Sequence, residues 1–283
     1  MFKFIMRFRH LIFLLIFTAP YITFAAGKKL KKIVIDAGHG GQDAGARGQF
    51  SQEKELTLAV TLRLGKMIRD SMKDMQVIYT RTSDIYPSLS ERHEIANKAV
   101  ADLFLSVHVN STADKITRVP AGTRTVKKGK KKVTQQVYKT VRSHIGSASG
   151  TETYVLGLHR NSQKENAIGE YGESISDEPG LLDENDPQTA IVIAQYSQAF
   201  LGKSVSLGTY IQGEFGAQGR PNLGVKQKGL EVLAGSVMPG VLVEIGFINN
   251  PTEEAYLNSE KGQFEVAWAI YKGIKAYKAE VER

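Results

Sequence analysis

The chain has 283 residues, of which 42% are hydrophobic and 23% are charged, and its formal net charge is +8. This composition suits one large globular domain, or a domain with insertions. The chain contains no cysteine, so disulfides and thiolate metal sites are excluded. Any metal ion would therefore have to be held by histidine and carboxylate side chains.

Residues 1–25 are typical of a signal peptide. Three basic residues precede an apolar run at 11–17, and Thr23-Phe24-Ala25 resembles a cleavage site. The run is too short and broken to predict a stable membrane span, with an uncleaved anchor as the alternative. Removing this segment takes away three basic residues and no acidic ones, so the net charge falls from +8 to +5. A basic exported protein favours an anionic partner such as cell wall, lipid or glycan over nucleic acid.

The first predicted strand covers residues 31–36 and ends in a glycine-rich turn that contains His39. In α/β sheets, chemistry takes place at the carboxyl ends of the strands. The glycines beside His39 allow other groups to approach it closely. His39 is therefore a candidate site residue, and a loop histidine without a role is the alternative.

A helix is predicted from about 52 to 71, with Ser51 as its N-cap. Glu53 lies on the apolar stripe of this helix, three residues before Leu56. A carboxylate that faces the core needs a partner, because burying it alone is costly, and a metal ion is one such partner. The alternative is that Glu53 lies in the exposed first turn and complements the helix dipole.

His108 lies at the carboxyl end of a later strand, as His39 does, so the two histidines can converge on one point. Glu244 interrupts another apolar strand, and acids are rarely buried without a partner. Four further strands and four further helices are predicted along the chain. The strands are at 76–81, 103–110, 151–155 and 240–247, and the helices are at 88–100, 187–201, 251–257 and 262–277.

Two histidines and one carboxylate form the ligand set of a catalytic zinc site with an open position. His39, Glu53 and His108 are therefore candidate ligands of Zn²⁺. Glu244 is a candidate base, which would take a proton from the activated water and pass it to a leaving nitrogen. Because there is no cysteine and no G-x-S-x-G motif, a covalent mechanism has weaker support.

Six short stretches occur in the order in which they occur in a known family. They are Ile35-Asp36-Ala37-Gly38-His39-Gly40-Gly41, Glu53-Lys54-Glu55-Leu56-Thr57-Leu58, Tyr79-Thr80-Arg81-Thr82, Leu89-Ser90-Glu91-Arg92, Ser106-Val107-His108-Val109-Asn110 and Val241-Leu242-Val243-Glu244-Ile245-Gly246-Phe247-Ile248-Asn249-Asn250. Through these stretches, the chain resembles the amidase 3 family of zinc-dependent N-acetylmuramoyl-L-alanine amidases. The resemblance extends from about residue 31 to residue 280.

The resemblance implies one α/β domain with a mainly parallel twisted sheet flanked by helices on both faces. It implies that His39, Glu53 and His108 bind zinc and that Glu244 is catalytic. The implied substrate is the amide between N-acetylmuramic acid and L-alanine in peptidoglycan. The implied setting is periplasmic or secreted and cell-wall associated, in wall remodelling or daughter-cell separation. A zinc peptidase that acts on stem peptides and an inactive wall-binding or regulatory protein are the alternatives.

Two segments depart from the compact family pattern. The first is a basic insertion at about 113–149; such runs are usually solvated and mobile, with attraction to anionic wall polymers as the alternative. The second, at about 161–187, is acidic and lies where some family members carry a regulatory segment. We predict that it covers the zinc site as a lid that an activator protein displaces, with a solvated acidic loop as the alternative. The candidate plugs are Glu173, Glu178 and Glu184.

Arg81 and Arg92 also match the family pattern. We interpret both as structural ion-pair residues and not as substrate binders.

Overall fold

The computed structural model describes residues 29–175 and 187–283, so the predicted signal peptide lies outside the described residues. The described part of the chain contains eight strands and seven α-helices. The strands are β1 (Lys32–Ala37), β2 (Gln76–Tyr79), β3 (Leu103–Asn110), β4 (Lys115–Lys128), β5 (Lys131–Ser143), β6 (Thr151–Leu156), β7 (Asn222–Lys228) and β8 (Gly240–Phe247). The helices are α1 (Glu53–Ser71), α2 (Leu89–Lys98), α3 (Asn161–Ile175), α4 (Pro187–Ala217), α5 (Glu231–Ala234), α6 (Pro251–Asn258) and α7 (Glu260–Val281).

Six strands form a sheet in the order β2-β1-β3-β8-β6-β7. The first four are parallel, whereas β6 runs antiparallel to β8 and β7 runs parallel to β6. The mainly parallel α/β sheet predicted from the sequence is therefore confirmed. The carboxyl ends of β1, β3 and β8 meet at one edge, called here the carboxyl edge, and the opposite edge is the amino edge.

The central strands are apolar because both faces of the sheet are covered by helices. One face packs against α1, α4 and α7, and the other packs against α2 and α5. Ile33 and Ile35 of β1 enter the first core, and Val34 enters the second, as the alternation of side chains along a strand requires. Two full cores thus hold the strand ends in place.

Several element boundaries differ from the predictions. Gln52, and not Ser51, is the N-cap of α1, because the hydroxyl of Ser51 donates a hydrogen bond to Glu254. The helix predicted at 187–201 continues to Ala217, and the strand β7 was not predicted. The glycines of these segments concealed both, since glycine weakens a helix or strand pattern.

The basic segment at 113–149 contains a long β-hairpin, made of β4 and β5, that pairs mainly with itself. The sequence predicted an insertion here but not this ordered ribbon. His144, just after β5, lies 2.6 Å from the carbonyl oxygen of Arg47, and Asn249 donates hydrogen bonds to Thr112 and His144. The base of the hairpin is therefore fixed at the carboxyl edge.

No helix within residues 29–175 and 187–283 combines the length and the apolar character that are required to cross a bilayer.

Candidate metal centre

The three predicted metal ligands come together at the carboxyl edge. His39 follows β1, Glu53 begins α1 and His108 lies near the end of β3. The Nε2 atom of His39 lies 3.2 Å from Oε2 of Glu53, and the Nδ1 atom of His108 lies 2.9 Å from Oε1 of Glu53. One donor atom of each residue lies within 4.8 Å of the other two. The structure thus places the three side chains as the sequence predicted.

Two glycines make room for this cluster. A Cβ atom at Gly38 would lie 2.5 Å from the ring of His108, and one at Gly45 would lie 2.6 Å from Oε2 of Glu53. Gly45 also has a φ of 64°, in the left-handed region that favours glycine. We expect any larger residue at these positions to displace a candidate ligand.

Glu53 is buried and held by the backbone on both sides. Its Oε1 atom accepts a hydrogen bond from the N–H of Val109 at 2.9 Å, and its Oε2 atom accepts one from Ala46 at 2.8 Å. Burial raises the pKa of this carboxyl, but hydrogen bonds with His108 and His39 reverse the effect and hold the pKa well below its usual range. Glu53 is therefore a carboxylate, as a metal ligand must be, and the exposed first-turn alternative is wrong.

Asp43 orients His39, and the sequence reasoning missed this residue. The Nδ1 atom of His39 lies 2.8 Å from Oδ2 of Asp43, which leaves Nε2 facing Glu53. Burial lowers the pKa of His39, but Glu53 and Asp43 outweigh it and raise the pKa to about 9. A carboxylate behind a ligating histidine is a recurrent feature of zinc sites. The signal for Asp43 was a carboxylate four residues after a histidine in a glycine-rich loop.

The donor set fits zinc. Two imidazoles and one carboxylate are the ligands of a catalytic zinc site that keeps a fourth position open. Bond lengths of about 2.0–2.1 Å place the ligand atoms of a tetrahedral ion roughly 3.3 Å apart. The separations of 2.9 and 3.2 Å at Glu53 involve different oxygens of its carboxylate, and one donor atom of each of the three residues lies within 4.8 Å of the other two. The three residues are therefore close enough together to hold one ion.

Glu244 lies directly beside His108 across the β3–β8 pair. Its Oε2 atom is buried and has no hydrogen-bond partner among the described residues. Burial raises the pKa of Glu244 to about 7, although His108 acts in the opposite direction. The carboxyl group can therefore both accept and release a proton near neutral pH.

A second carboxylate lies on the other side of Glu244, and sequence reasoning missed it as well. Glu152 of β6 pairs with Glu244 across the sheet. Its carboxylate accepts hydrogen bonds from Asn110 at 2.5 Å and Tyr154 at 2.6 Å, and it forms an ion pair with Lys226. The carboxylate of Glu152 is thus engaged by three partners, whereas Oε2 of Glu244 has no hydrogen-bond partner among the described residues.

Arg92 is structural, as predicted, because it forms a buried ion pair of 2.7 Å with Asp36 under the turn. Arg81 is also structural, but the ion-pair prediction is wrong in its detail. Its guanidinium donates hydrogen bonds to the carbonyl oxygens of Ala37, Gly38 and Lys54. Both arginines thus hold the backbone that carries His39.

The lid prediction is wrong for residues 161–175. These residues form α3. Lys164 of α3 donates hydrogen bonds to the carbonyl oxygens of Leu233 and Met238, and both of these residues precede β8, which begins at the amino edge. The reason is that β6 runs opposite to β8, so the chain leaves β6 at the edge away from the candidate metal ligands. Glu173 falls on α3, whereas Glu178 and Glu184 lie outside the described residues. The part of the lid prediction that concerns residues 176–186 lies outside the described residues, and a deletion described in the Discussion tests it together with the predicted activator.

Residues 33–276 match the family described as N-acetylmuramoyl-L-alanine amidase. The amidase AmiC of Escherichia coli CFT073 is 30% identical over 249 residues, which are 88% of this chain and 53% of AmiC. The amidase AmiA of Escherichia coli K12 is 29% identical over 256 residues, which are 89% of this chain and 77% of AmiA. This chain therefore spans about half the length of AmiC.

Solved structures have the same fold. The N-acetylmuramoyl-L-alanine amidase from Clostridium difficile 630 aligns with a TM-score of 0.58 at 24% identity, over 88% of this chain and 97% of that chain. The catalytic domain of the amidase CwlV from Paenibacillus polymyxa aligns with a TM-score of 0.52 at 25% identity, over 88% of this chain and 98% of that chain.

Proposed function

Because the chain belongs to the N-acetylmuramoyl-L-alanine amidase family, we propose that it hydrolyses the amide between N-acetylmuramic acid and L-alanine in peptidoglycan. The observation that carries the proposal is the convergence of His39, Glu53 and His108 beside the unpartnered carboxyl oxygen of Glu244. The proposed setting is periplasmic or secreted, in wall remodelling or daughter-cell separation, which the signal-like residues 1–25 support.

In this proposal His39, Glu53 and His108 hold one Zn²⁺ ion. When bound, the ion lowers the pKa of a water molecule towards neutrality and polarises the carbonyl of the scissile amide. Asp43 fixes the ring of His39 through Nδ1, so that Nε2 remains available as the ligand atom. The backbone bonds to Glu53 hold its carboxylate in place.

Glu244 acts as the general base and then as the general acid. It takes a proton from the attacking water and delivers it to the nitrogen of L-alanine, which leaves as a neutral amine. A pKa of about 7 suits both steps, because a catalytic group works best when its pKa is close to the operating pH. The carboxylate of Glu152, on the neighbouring strand, already accepts hydrogen bonds from Asn110 and Tyr154, so Glu244 is the group available for proton transfer.

Digestion of purified peptidoglycan, followed by mass analysis of the products, tests the function. We expect free stem peptides that begin with L-alanine, together with glycan strands that are intact. Cleavage inside the stem peptide would indicate the zinc peptidase instead, and the absence of any released product would indicate the inactive wall-binding protein. Parallel digests with protein that has been treated with a metal chelator show whether the activity depends on the metal.

A further inference from the structure

The basic character of the chain is concentrated in the β4–β5 hairpin. Ten lysines and arginines and no acidic residue lie between Lys115 and Arg142. Without the three basic residues of the first 25, the chain holds 34 basic and 29 acidic residues. Outside the hairpin, 24 basic residues therefore face 29 acidic ones, which is a net charge of −5. A hairpin of charge +10 thus extends from a net acidic body.

The charges of the hairpin are open to solvent. All ten basic residues are exposed, and within the described part of the chain only Arg142 has a carboxylate within 4.0 Å, that of Asp114 at 3.8 Å. Because side chains alternate along a strand, Lys131 and Lys139 lie on one face of the ribbon and Lys132 and Arg142 lie on the other. The hairpin therefore presents positive charge on both faces.

The base of the hairpin is attached to the loops that carry the candidate site. His144 contacts the carbonyl oxygen of Arg47, which lies between the ligands His39 and Glu53 in the chain. Asn249, which follows β8, donates a hydrogen bond to the carbonyl oxygen of His144 at 3.0 Å. A polymer bound along the hairpin is therefore tethered to the carboxyl edge through the base of the hairpin, while the tip extends away from that edge.

We propose that the hairpin is a binding arm for the free carboxylates of peptidoglycan stem peptides, which holds the polymer at the candidate metal centre. This inference rests on the proposed function. The 14 residues of β4 span about 44 Å at the rise of an antiparallel strand. The tip therefore reaches far beyond one substrate unit. A mesh of polymer can contact both charged faces, whereas a flat membrane surface contacts one.

The test replaces five lysines at the tip by glutamine. They are Lys127, Lys128, Lys130, Lys131 and Lys132. We expect co-sedimentation with purified sacculi in 50 mM NaCl to weaken at least tenfold and to become less sensitive to salt, because fewer charges are screened. Hydrolysis of a soluble muramyl peptide should keep the parent kcat/KM, because the tip is remote from the metal centre.

The matched control replaces five exposed lysines of the body by glutamine and thus makes the same change in net charge. They are Lys66, Lys73, Lys98, Lys261 and Lys275. This control should change binding to sacculi less than twofold. A variant with arginine at the five tip positions should bind as the parent does, which separates loss of charge from loss of the hairpin fold. Equal weakening in the tip and body variants, or none in either, would overturn the proposal.

Two further probes identify the anionic partner. Glycan strands from which the stem peptides have been removed should bind at least tenfold more weakly than sacculi, and vesicles of phosphatidylglycerol should bind more weakly than sacculi. Full binding to the bare strands, or stronger binding to vesicles, would contradict the carboxylate assignment. If the parent binds sacculi through the tip but releases no product, the amidase proposal fails alone. If it cleaves the soluble substrate but the tip has no effect, the arm fails alone.

Discussion

At the carboxyl edge of the sheet Glu53 is buried between two histidines, whereas at the amino edge Lys164 is buried among neutral acceptors. The ammonium group of Lys164 donates hydrogen bonds to the carbonyl oxygens of Leu233 and Met238 and to the hydroxyl of Ser236, at 3.0–3.2 Å. Burial lowers the pKa of Lys164 to about 7. Both buried groups thus have shifted pKa values.

The two buried groups differ in their hydrogen-bond partners. The three N–H bonds of Lys164 are matched by three neutral acceptors, which ties α3 to the segment before β8 and leaves nothing for a ligand. Glu53 is surrounded by titratable side chains from separate parts of the chain, and Glu244 beside them has an oxygen that no described residue contacts through a hydrogen bond. Burial and a shifted pKa alone therefore do not identify a site, because structural groups share them. The convergence of several ligand atoms does.

The largest expected effect is at the carboxyl edge. We predict one zinc ion per chain, and we expect His39→Ala to lose the metal and the activity together, because it removes one of three ligands. Elemental analysis and peptidoglycan digestion measure the two losses. His93→Ala, which changes a histidine of α2, should retain both. Full zinc occupancy in the His39 variant would refute the assignment.

Glu244→Gln separates the base from the metal. The substitution keeps the shape of the side chain but removes its ability to accept a proton, and a positioned base contributes about a hundredfold to ten-thousandfold. We therefore expect turnover to fall by that factor while zinc content is unchanged. Glu152→Gln is the matched change on the neighbouring strand and should cost less. Near-normal turnover in Glu244→Gln would assign the base role to another group.

Lys164→Met tests the amino edge. The variant removes three hydrogen bonds and leaves the carbonyl oxygen of Met238 without this donor, whereas the hydroxyl of Ser236 still donates to Leu233. We therefore expect the free energy of unfolding at pH 7 to fall by roughly 1–3 kcal/mol, with zinc content and kcat unchanged. A loss of kcat in a folded protein would mean that the two edges are coupled.

The same lysine gives a pH dependence of stability. The pKa of Lys164 is about 7 in the folded state and 10.5 for an unperturbed lysine, which represents the unfolded chain. Between these pH values the unfolded chain therefore binds more protons than the folded protein does. The contribution of Lys164 to stability therefore rises with pH from about 7 to 10.5. Urea unfolding at pH 7 and pH 9.5 should show this rise in the parent and a smaller one in Lys164→Met. Equal rises in the two proteins would show that other groups cause it.

Zinc affinity should also depend on pH. Because the metal-free pKa of His39 is about 9, a proton competes with the metal below that pH, and the apparent affinity should rise between pH 6 and pH 9. Asp43→Asn removes one cause of the raised pKa, so it should move this rise to lower pH and weaken binding by about 10- to 100-fold. Titration of the metal-free protein at several pH values measures both. An affinity independent of pH would contradict the role of His39.

The smallest effect concerns residues 176–186. A lid over the zinc site predicts that deleting them raises basal wall hydrolysis. Ser204 of α4 accepts a hydrogen bond from the N–H of Gly240, so the start of α4 lies beyond the amino edge, as α3 does. We therefore expect a short flexible linker in place of 176–186 to leave activity and zinc content unchanged. A clear gain in activity would restore the lid.

The sequence predicted best what depends on local pattern. Apolar runs located β1, β3 and β8, and the polar residues His39, His108 and Glu244 stood out because each follows or interrupts such a run. Glu53 was found because a carboxylate on an apolar stripe needs a partner. These arguments need only the neighbours of a residue in the chain.

The features that the sequence did not reveal depend on contacts between distant segments. The orientation of β6 is set by its pairing with β8 and β7, and the wrong location of the lid follows from it. The basic charge of the hairpin hid the valines on one face of β5, Val133, Val137 and Val141. The pairing of Glu152 with Glu244 appears only when the sheet is assembled. The sequence shows that Asp43 lies four residues after His39, but nothing in the sequence indicates that the two side chains form a hydrogen bond.

The way in which Glu53 is anchored determines when the metal can be loaded. Its carboxylate is fixed by the backbone of Ala46 and Val109, and the ring of His39 is fixed by Asp43. These bonds join protein groups alone, so the free energy of zinc binding need not supply the free energy of folding, in contrast to zinc fingers. The chain can therefore fold first and take up its ion afterwards. Under the proposed function, the zinc supply of the compartment that the folded chain reaches would then set the fraction of active protein.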